Sequence, residues 1–223
     1  MPPIRYDVVD MSVAELAAEQ RLYGALADSV RALADASLRT TVPGEVVEEV
    51  AEEIGKLTAR LATDQVEDSL GVSLTTSGTV RAYGNAVVGL RNPVAPPLRI
   101  ERSGEGRARS EFRLGALYEG PPGLVHGGVA ALVLDQVCGE AAADGGSPGM
   151  TGTLTLRYER STPLGQCSSE AWIDRVEGVK TFVIGELRDA EGRTTVQAEG
   201  VFILPRWARE AMEQREERPP RFE

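Results

Sequence analysis

Two stretches near the N-terminus carry apolar residues every three or four positions, with charged residues between them. The first covers residues 11 to 35 and the second covers residues 45 to 62. This spacing places the apolar residues on one side of an α-helix, so it predicts two amphipathic helices. The turn sequence Thr-Thr-Val-Pro-Gly at residues 40 to 44 separates them, and we predict an antiparallel helical hairpin within residues 1 to 65.

The second of these stretches also carries a run of glutamates, Glu48, Glu49, Glu52 and Glu53. They fall between the apolar positions, so we expect them to form a solvated face of the helix. The hairpin itself has two interpretations. It is a packing or dimerisation appendage, or it is a lid over a ligand groove.

The middle of the chain changes from irregular to strand-like patterning. Residues 66 to 97 end in Asn-Pro-Val-Ala-Pro-Pro, and prolines at this density exclude a helix and disfavour an inner strand. We therefore predict an extended strap. Residues 98 to 102 and 107 to 114 then form a predicted hairpin around Ser-Gly-Glu-Gly, because apolar and charged residues alternate along the second run.

A long apolar helix and further strands follow. Six consecutive apolar residues precede Asp135, and the apolar pattern continues to about residue 143. Four strand-like runs come next, at residues 150 to 160, 168 to 176, 180 to 188 and 194 to 203. This order predicts an α+β fold in which an antiparallel sheet wraps around one long central helix. Residues 207 to 223 form a charged C-terminal tail.

Composition narrows the possible functions. The formal net charge is −10, which disfavours binding to nucleic acid or to anionic membrane surfaces. No apolar run reaches the roughly 18 residues of a membrane span, and no signal-peptide pattern opens the chain, so we expect a cytoplasmic protein. Two cysteines, Cys138 and Cys167, are too few for a disulfide framework, and we expect both to be buried thiols.

Candidate chemistry lies where a Gly/Pro-rich loop meets the long helix. The loop holds the only histidine, His126, followed by Gly127 and Gly128. A helix start leaves backbone N–H groups free and carries partial positive charge, which suits a developing oxyanion. Asp135 is an acid within an apolar helix, and burying such a group is costly unless it is paired or used. Metal-ligand clusters are absent, and we predict no cofactor.

Three features follow one another along the chain. They are the segment Tyr-Glu-Gly-Pro-Pro-Gly-Leu-Val-His-Gly-Gly, an aspartate nine residues after its histidine, and the segment Thr-Gly-Thr-Leu-Thr-Leu-Arg-Tyr-Glu-Arg-Ser-Thr-Pro-Leu-Gly. Together they resemble the hotdog-fold acyl-CoA thioesterases of the PaaI type, closest to the branch of thioesterase superfamily members with an N-terminal extension. The resemblance covers residues 92 to 204. It implies a hotdog domain at residues 66 to 206, with the strap at residues 66 to 97.

The resemblance also implies a set of roles. It implies hydrolysis of an acyl-CoA, with Asp135 as nucleophile or general base. The Gly127 and Gly128 amides would form the oxyanion hole, and Thr151 would hold the attacking water. Residues Gly152-Thr153 replace the Ala-Asn common in the family, so the contacts of that strand remain open. His126 could orient the loop, donate a hydrogen bond near the thioester or transfer a proton.

One helix cannot supply both the oxyanion donors and the attacking group. Asp135 lies seven residues beyond Gly128, which is about 10 Å along a helix. A reacting carbonyl must lie within about 3 Å of both groups. We therefore predict a site shared by two protomers, with Gly127 and Gly128 from one and Asp135 and Thr151 from the other, in a homodimer or a dimer of dimers.

Coenzyme A carries phosphates, so an acidic chain needs a local group of cations to bind it. The candidates on the predicted strands are Arg157, Arg160, Lys180 and Arg188. Two other functions remain as alternatives to a thioesterase acting in lipid metabolism. One is a hotdog protein that binds an acyl thioester without hydrolysis or serves in assembly. The other, a hydratase or dehydratase, is disfavoured because Glu119 is the only acid in the ten residues before His126.

Overall fold

The computed structural model describes residues 7–67, 70–76, 79–206 and 209. The chain divides between Ala95 and Pro96 into two compact units. Most of the predicted strap therefore belongs to the same unit as the N-terminal helices. The predicted C-terminal tail, residues 207 to 223, lies outside the described residues apart from Arg209.

The N-terminal unit contains two helices and a small sheet. Its elements are β1 (Asp7–Val9), α1 (Val13–Arg39), α2 (Gly44–Leu61), β2 (Ser73–Thr75) and β3 (Val80–Arg81). Strand β2 is central, parallel to β1 and antiparallel to β3. Both predicted helices are present, whereas the sequence pattern gave no indication of these short strands, of which β2 and β3 lie within the strap.

Helix α1 begins with a capping box, in which Ser12 accepts a hydrogen bond from the Glu15 N–H and the Glu15 side chain accepts one from the Ser12 N–H. It buries Leu16 and Ala27. Its partner is the segment that follows β3, where the guanidinium of Arg91 lies 3.6 Å from the centre of the Tyr23 ring. One side of α1 therefore packs against the strap, whereas Leu22, Leu26 and Val30 remain exposed.

The antiparallel packing expected between α1 and α2 is not present. Helix α2 has no buried residue, although both helices lie where the sequence predicts them. Val47, Leu57 and Leu61 are each about half exposed. In the described chain α1 packs against the strap, while its exposed residues Leu22 and Leu26 and the apolar side of α2 do not bury each other.

The C-terminal unit is built on a six-stranded sheet. The strands are β4 (Ile100–Arg102), β5 (Arg107–Leu114), β6 (Met150–Tyr158), β7 (Gly165–Glu177), β8 (Lys180–Arg188) and β9 (Thr194–Ile203). Their order across the sheet is β4-β5-β7-β8-β9-β6, and every neighbouring pair is antiparallel. A 3₁₀ turn (Ala116–Tyr118) and helix α3 (Gly127–Asp144) connect β5 to β6.

Helix α3 lies against one face of this sheet and forms the core of the unit. Val133, Leu134 and Val137 are fully buried, and alternate residues of β5 and β8 are buried beneath the helix. Gly185 permits a close approach, since a Cβ there would lie 2.6 Å from the Cys138 Sγ. The predicted α+β architecture, an antiparallel sheet around one central helix, is confirmed, and it is a hotdog fold.

Among the residues that the structure describes, no helix combines the length and apolar character needed to cross a membrane.

Candidate active site

The loop before α3 closes on itself and fixes the start of the helix. The Glu119 carboxylate accepts a hydrogen bond from the Gly123 N–H at 2.6 Å, and Gly123 has a φ of 75°, which favours glycine. Gly120 lies against the histidine, because a Cβ there would approach the His126 Cα within 2.8 Å. These contacts hold His126 at the position that caps α3.

His126 engages one of the two glycine amides. The Gly128 N–H donates to His126 Nδ1 at 3.0 Å, so a neutral imidazole carries its proton on Nε2. The ring is exposed. The Gly127 N–H, at the first position of the helix, has no acceptor among the described residues. The donors available to a ligand here are therefore the Gly127 N–H and the His126 Nε2–H.

Tyr158 supports this loop from the end of β6. Its hydroxyl donates a hydrogen bond to the Gly127 carbonyl at 2.9 Å. A Cβ at Gly127 would lie 3.4 Å from the Tyr158 ring, an ordinary contact distance. Sequence reasoning did not assign a role to Tyr158, although its position within the Arg-Tyr-Glu-Arg segment was a usable signal.

Asp135 lies on the half-exposed side of α3 and meets the start of β6. The Thr151 hydroxyl donates to Asp135 Oδ1 at 2.8 Å, across 16 residues of sequence. The pairing of β6 with β9 shifts register between Thr151 and Thr153, so Gly152 occupies a bulge that re-aims the neighbouring side chains. A Cβ at Gly152 would lie 2.7 Å from the Ile203 Cδ1, so a larger residue here would require the end of the Ile203 side chain to move.

An open cleft of about 450 Å³ surrounds this pair; it is called the acid cleft below. Its lining residues are Asp135, Gln136, Gly139, Glu140, Ala143, Gly149, Met150, Thr151 and Phe202. One wall is polar, because Glu140 accepts hydrogen bonds from Gln136 Nε2 at 2.8 Å and from Arg102 Nε at 2.7 Å. Sequence reasoning missed these three residues, since only the folded chain brings Arg102 to α3.

A second cleft, of about 380 Å³, lies at the histidine loop and is called the amide cleft. Its lining residues are Pro121, Leu124, Val125, Gly127, Ala130, Tyr158, Arg160, Ser161 and Thr162. Gly127 and Asp135 are eight residues apart on α3, about 12 Å along the helix. Within one chain the two predicted halves of the site therefore open into two different clefts.

The four candidate cations do not gather at one point. Strand register places Lys180 beside Ile203, level with Met150, whereas Arg188 lies at the opposite end of β8. Glu186 and Glu170 hold Arg188 in ion pairs, and the hydrogen bond that its guanidinium donates to Glu186 raises the pKa of Arg188.

The remaining two cations lie at or just beyond the Tyr158 end of β6. Arg157 is exposed on β6, with its Nε 3.9 Å from a Glu159 carboxylate oxygen. Arg160 lines the amide cleft itself.

The other reactive groups offer no alternative chemistry. Both cysteines are buried. Burial raises the pKa of the Cys138 thiol to about 12, with a further contribution from the charge of Asp135, and burial raises the pKa of the Cys167 thiol to about 11. Within the described part of the chain, no cluster of three or more His, Cys, Asp or Glu side chains could hold a metal ion.

A sheet wrapped around one helix, with a histidine–glycine loop at the helix start and an acid further along it, defines a hotdog protein with the features of a thioesterase. Residues 122–196 match the sequence profile of the thioesterase superfamily. The crystal structure of protein RHA08564, a thioesterase superfamily protein, is 36% identical, covers 81% of this chain and 90% of its own, and superposes with a TM-score of 0.72. The chain belongs to the thioesterase superfamily, which confirms the family resemblance.

Part of the chain is also similar in sequence to curated acyl-coenzyme A thioesterases. Acyl-coenzyme A thioesterase THEM4 of Bos taurus is 32% identical over 108 residues, which are 47% of this chain and 44% of that protein. The THEM4 protein of Xenopus laevis is 35% identical over 78 residues, which are 34% of this chain and 35% of that protein. The chain thus spans less than half the length of these two relatives.

Proposed function

We propose that this protein hydrolyses the thioester of an acyl-CoA to a free acid and CoA. The observation that carries the proposal is the hydrogen bond from Thr151 to Asp135 within an open cleft. An acid that is placed on an apolar helix, oriented by a hydroxyl and reachable from solvent is suited to activating water or attacking a carbonyl. The names of the THEM4 relatives support the same substrate class.

Each group has a definite part in the reaction. If Asp135 acts as a base, it takes a proton from water while the water oxygen bonds to the thioester carbon. The carbon–sulfur bond then breaks, and the CoA thiolate takes up a proton. If Asp135 attacks directly, an acyl anhydride forms as the carbon–sulfur bond breaks and the CoA thiolate leaves and takes up a proton. Water then cleaves the anhydride, which releases the free acid and regenerates the Asp135 carboxylate. Because Thr151 donates its proton to Asp135, its oxygen lone pairs can accept a hydrogen bond from the attacking water.

The thioester oxygen becomes negative as the carbonyl is attacked. The Gly127 N–H and the His126 Nε2–H are the hydrogen-bond donors that stabilise this negative oxygen. Both lie at the start of α3, where the helix dipole is positive. His126 thereby acts by hydrogen bonding and not by proton transfer. Gly128 joins the oxyanion hole only if the His126 ring releases its amide.

The site is completed by a second copy of the chain. Strand β6 pairs only with β9 within the described sheet, so its other edge is open, and an open edge is a template for pairing. If two β6 strands pair antiparallel about a point between Leu154 and Thr155, Thr151 lies opposite Tyr158 of the partner subunit. Each acid cleft would then adjoin the partner's amide cleft, which gives a homodimer, or a dimer of dimers, with two shared sites.

This arrangement favours one cation over the others for the CoA phosphates. Arg160 lines the amide cleft, and Arg157 lies on the same end of β6. Lys180 lies at the acid-cleft end of the sheet, and Arg188 is already paired with two glutamates. We place the CoA moiety at Arg160, with Arg157 as a secondary contact, and the reaction in cytoplasmic lipid metabolism.

Substitution of Asp135 by Asn tests the reaction. The variant keeps the size and the hydrogen bond from Thr151 but cannot accept the proton or attack, so we expect kcat to fall at least about 100-fold. The measurement is release of free CoA from a panel of acyl-CoAs of different chain length. Asp174→Asn, which changes an exposed acid on β7, is the matched control and should behave as the wild type.

The same assay separates hydrolysis from binding alone. Calorimetric titration with a non-hydrolysable acyl-CoA analogue measures binding independently of turnover. A wild-type protein that binds the analogue but releases no CoA from any acyl-CoA would be a non-hydrolytic acyl-thioester binder. Unchanged turnover in Asp135→Asn would remove Asp135 from the mechanism.

A further inference from the structure

Helix α2 presents an apolar stripe that the described chain leaves uncovered. None of its residues is buried, and the exposed fractions of Val47, Leu57 and Leu61 are 47%, 53% and 54%. These residues lie on one side of the helix, so they form a continuous surface. Contiguous exposed apolar surface on a soluble protein marks a site of association.

The spacing of the stripe specifies what covers it. The apolar residues are Val47, Val50, Ile54, Leu57 and Leu61, separated by alternating steps of three and four. This is the a/d pattern of a coiled-coil seam, which is narrower than the stripe of a helix that packs on a globular core. The stripe therefore fits another helix with the same spacing.

Charge along α2 decides the orientation of that helix. The five glutamates lie between residues 45 and 53, whereas Lys56 and Arg60 follow them. Glu53 and Arg60 immediately precede Ile54 and Leu61, so in heptad terms both are g positions that border the seam. In a parallel pair g positions meet e positions, which here are Ala51 and Thr58 and carry no charge.

In an antiparallel pair g positions meet each other. When Ile54 packs against Leu57 of the partner subunit and Val50 packs against Leu61 of the partner subunit, Glu53 faces Arg60 of the partner subunit, and symmetry repeats each contact. A shift of the pairing by one heptad in one direction places Glu53 against Glu53 of the partner subunit. A shift by one heptad in the other direction retains fewer apolar layers. One antiparallel register therefore satisfies both the apolar stripe and the charges.

We propose that α2 pairs antiparallel with α2 of a second copy of this chain, in the register that joins Glu53 to Arg60 of the partner subunit. The helix carries five acidic residues against Lys56 and Arg60, which disfavours an anionic lipid surface as the alternative occupant. This contact is separate from the β6 edge, and it does not depend on catalysis.

Charge reversal at the seam tests the pairing. Glu53→Arg and Arg60→Glu each place two pairs of like charges in contact, so we expect either substitution to raise the dissociation constant of the oligomer at least about tenfold. The double variant restores opposite charges and should return to within about threefold of the wild type. Sedimentation equilibrium of the full chain over a range of concentrations measures these constants.

A second pair of variants separates the seam from general charge effects. Ile54→Glu combined with Leu57→Glu places acids in the apolar layers, and the oligomer mass should fall by half at concentrations where the wild type is fully associated. Glu49→Arg makes the same charge change on the outer face and should associate as the wild type does. A wild-type chain that is monomeric, unchanged association in the seam variants, or a double charge swap as weak as the single ones would overturn the proposal.

Discussion

His126 caps helix α3 and is also a candidate hydrogen-bond donor to a ligand. Its position in the sequence could not separate these two roles. Its Nδ1 accepts the Gly128 N–H, which satisfies one of the free amides of α3 and leaves the Gly127 N–H as the amide that we propose for the oxyanion hole. The motif His-Gly-Gly indicated both glycines equally, because a sequence does not show which side chain will cap a helix. The imidazole is therefore a positioning group for α3 as well as a candidate donor through Nε2.

Gly127→Pro tests the remaining amide. Proline is favoured at the first position of a helix and lacks an N–H, and the extended backbone of His126, with ψ of 134°, is compatible with a following proline. We expect a folded protein whose kcat for acyl-CoA hydrolysis falls about 100-fold.

Gly127→Ala is the matched control, since it keeps the N–H and its Cβ would meet the Tyr158 ring at an ordinary distance of 3.4 Å. Equal activity in Gly127→Pro and Gly127→Ala would exclude the Gly127 N–H from the oxyanion hole.

At the scale of elements, local patterns predicted most of the fold. Helix α3 and strands β4 to β9 lie close to their predicted positions, because alternation and helical spacing depend on neighbouring residues. The packing of α2 was not predictable in this way, since the same stripe fits α1, the sheet or a second chain. The sequence also gave no indication of β1, β2 and β3, each of which is only two or three residues long.

The contact between α3 and β8 predicts the behaviour of Cys138. Burial raises the pKa of this thiol to about 12, so in the folded chain neither Cys138 nor the buried Cys167 should react with a thiol reagent at pH 8, whereas both should react after unfolding. A disulfide-exchange reagent with absorbance readout measures this.

The same pKa shift sets the direction of a pH effect on stability. The folded state holds the Cys138 proton more tightly than the unfolded state, whose thiol has an ordinary pKa of 9.0. The stabilising contribution is therefore complete below pH 9 and is lost as the pH rises towards 12. Cys138→Ala should show a smaller loss of stability over that interval, and an identical pH dependence in the two proteins would contradict the assignment.

At the scale of the whole molecule, the acid cleft and the amide cleft lie too far apart to act on one carbonyl within a single protomer. The rise of α3 separates Gly127 from Asp135. Strand β6 likewise separates the residues that contact them, because Thr151 and Tyr158 are about 23 Å apart along the strand. The proposed shared site would resolve the separation without any movement of α3.

Mixing two inactive variants tests the sharing of sites. Asp135→Asn removes one half of the site and Gly127→Pro removes the other. If each site combines two protomers, exchange of subunits creates hybrid dimers with one intact site, and activity should rise to about a quarter of the wild-type value. Activity that stays at the sum of the two separate variants, after subunit exchange is verified by mass, would place each site within one protomer.

The sequence by itself determined the helix α3, the alternation of the strands, the histidine–glycine loop and the presence of Asp135 and Thr151 in one family pattern. These follow from spacing and turn chemistry, which act between residues close together in the chain. Only the tertiary structure decided that Thr151 donates to Asp135, that His126 occupies the Gly128 amide, that Lys180 and Arg188 lie at opposite ends of the sheet and that α2 is uncovered. Those outcomes depend on strand register and on competition between packing partners, which no local pattern records.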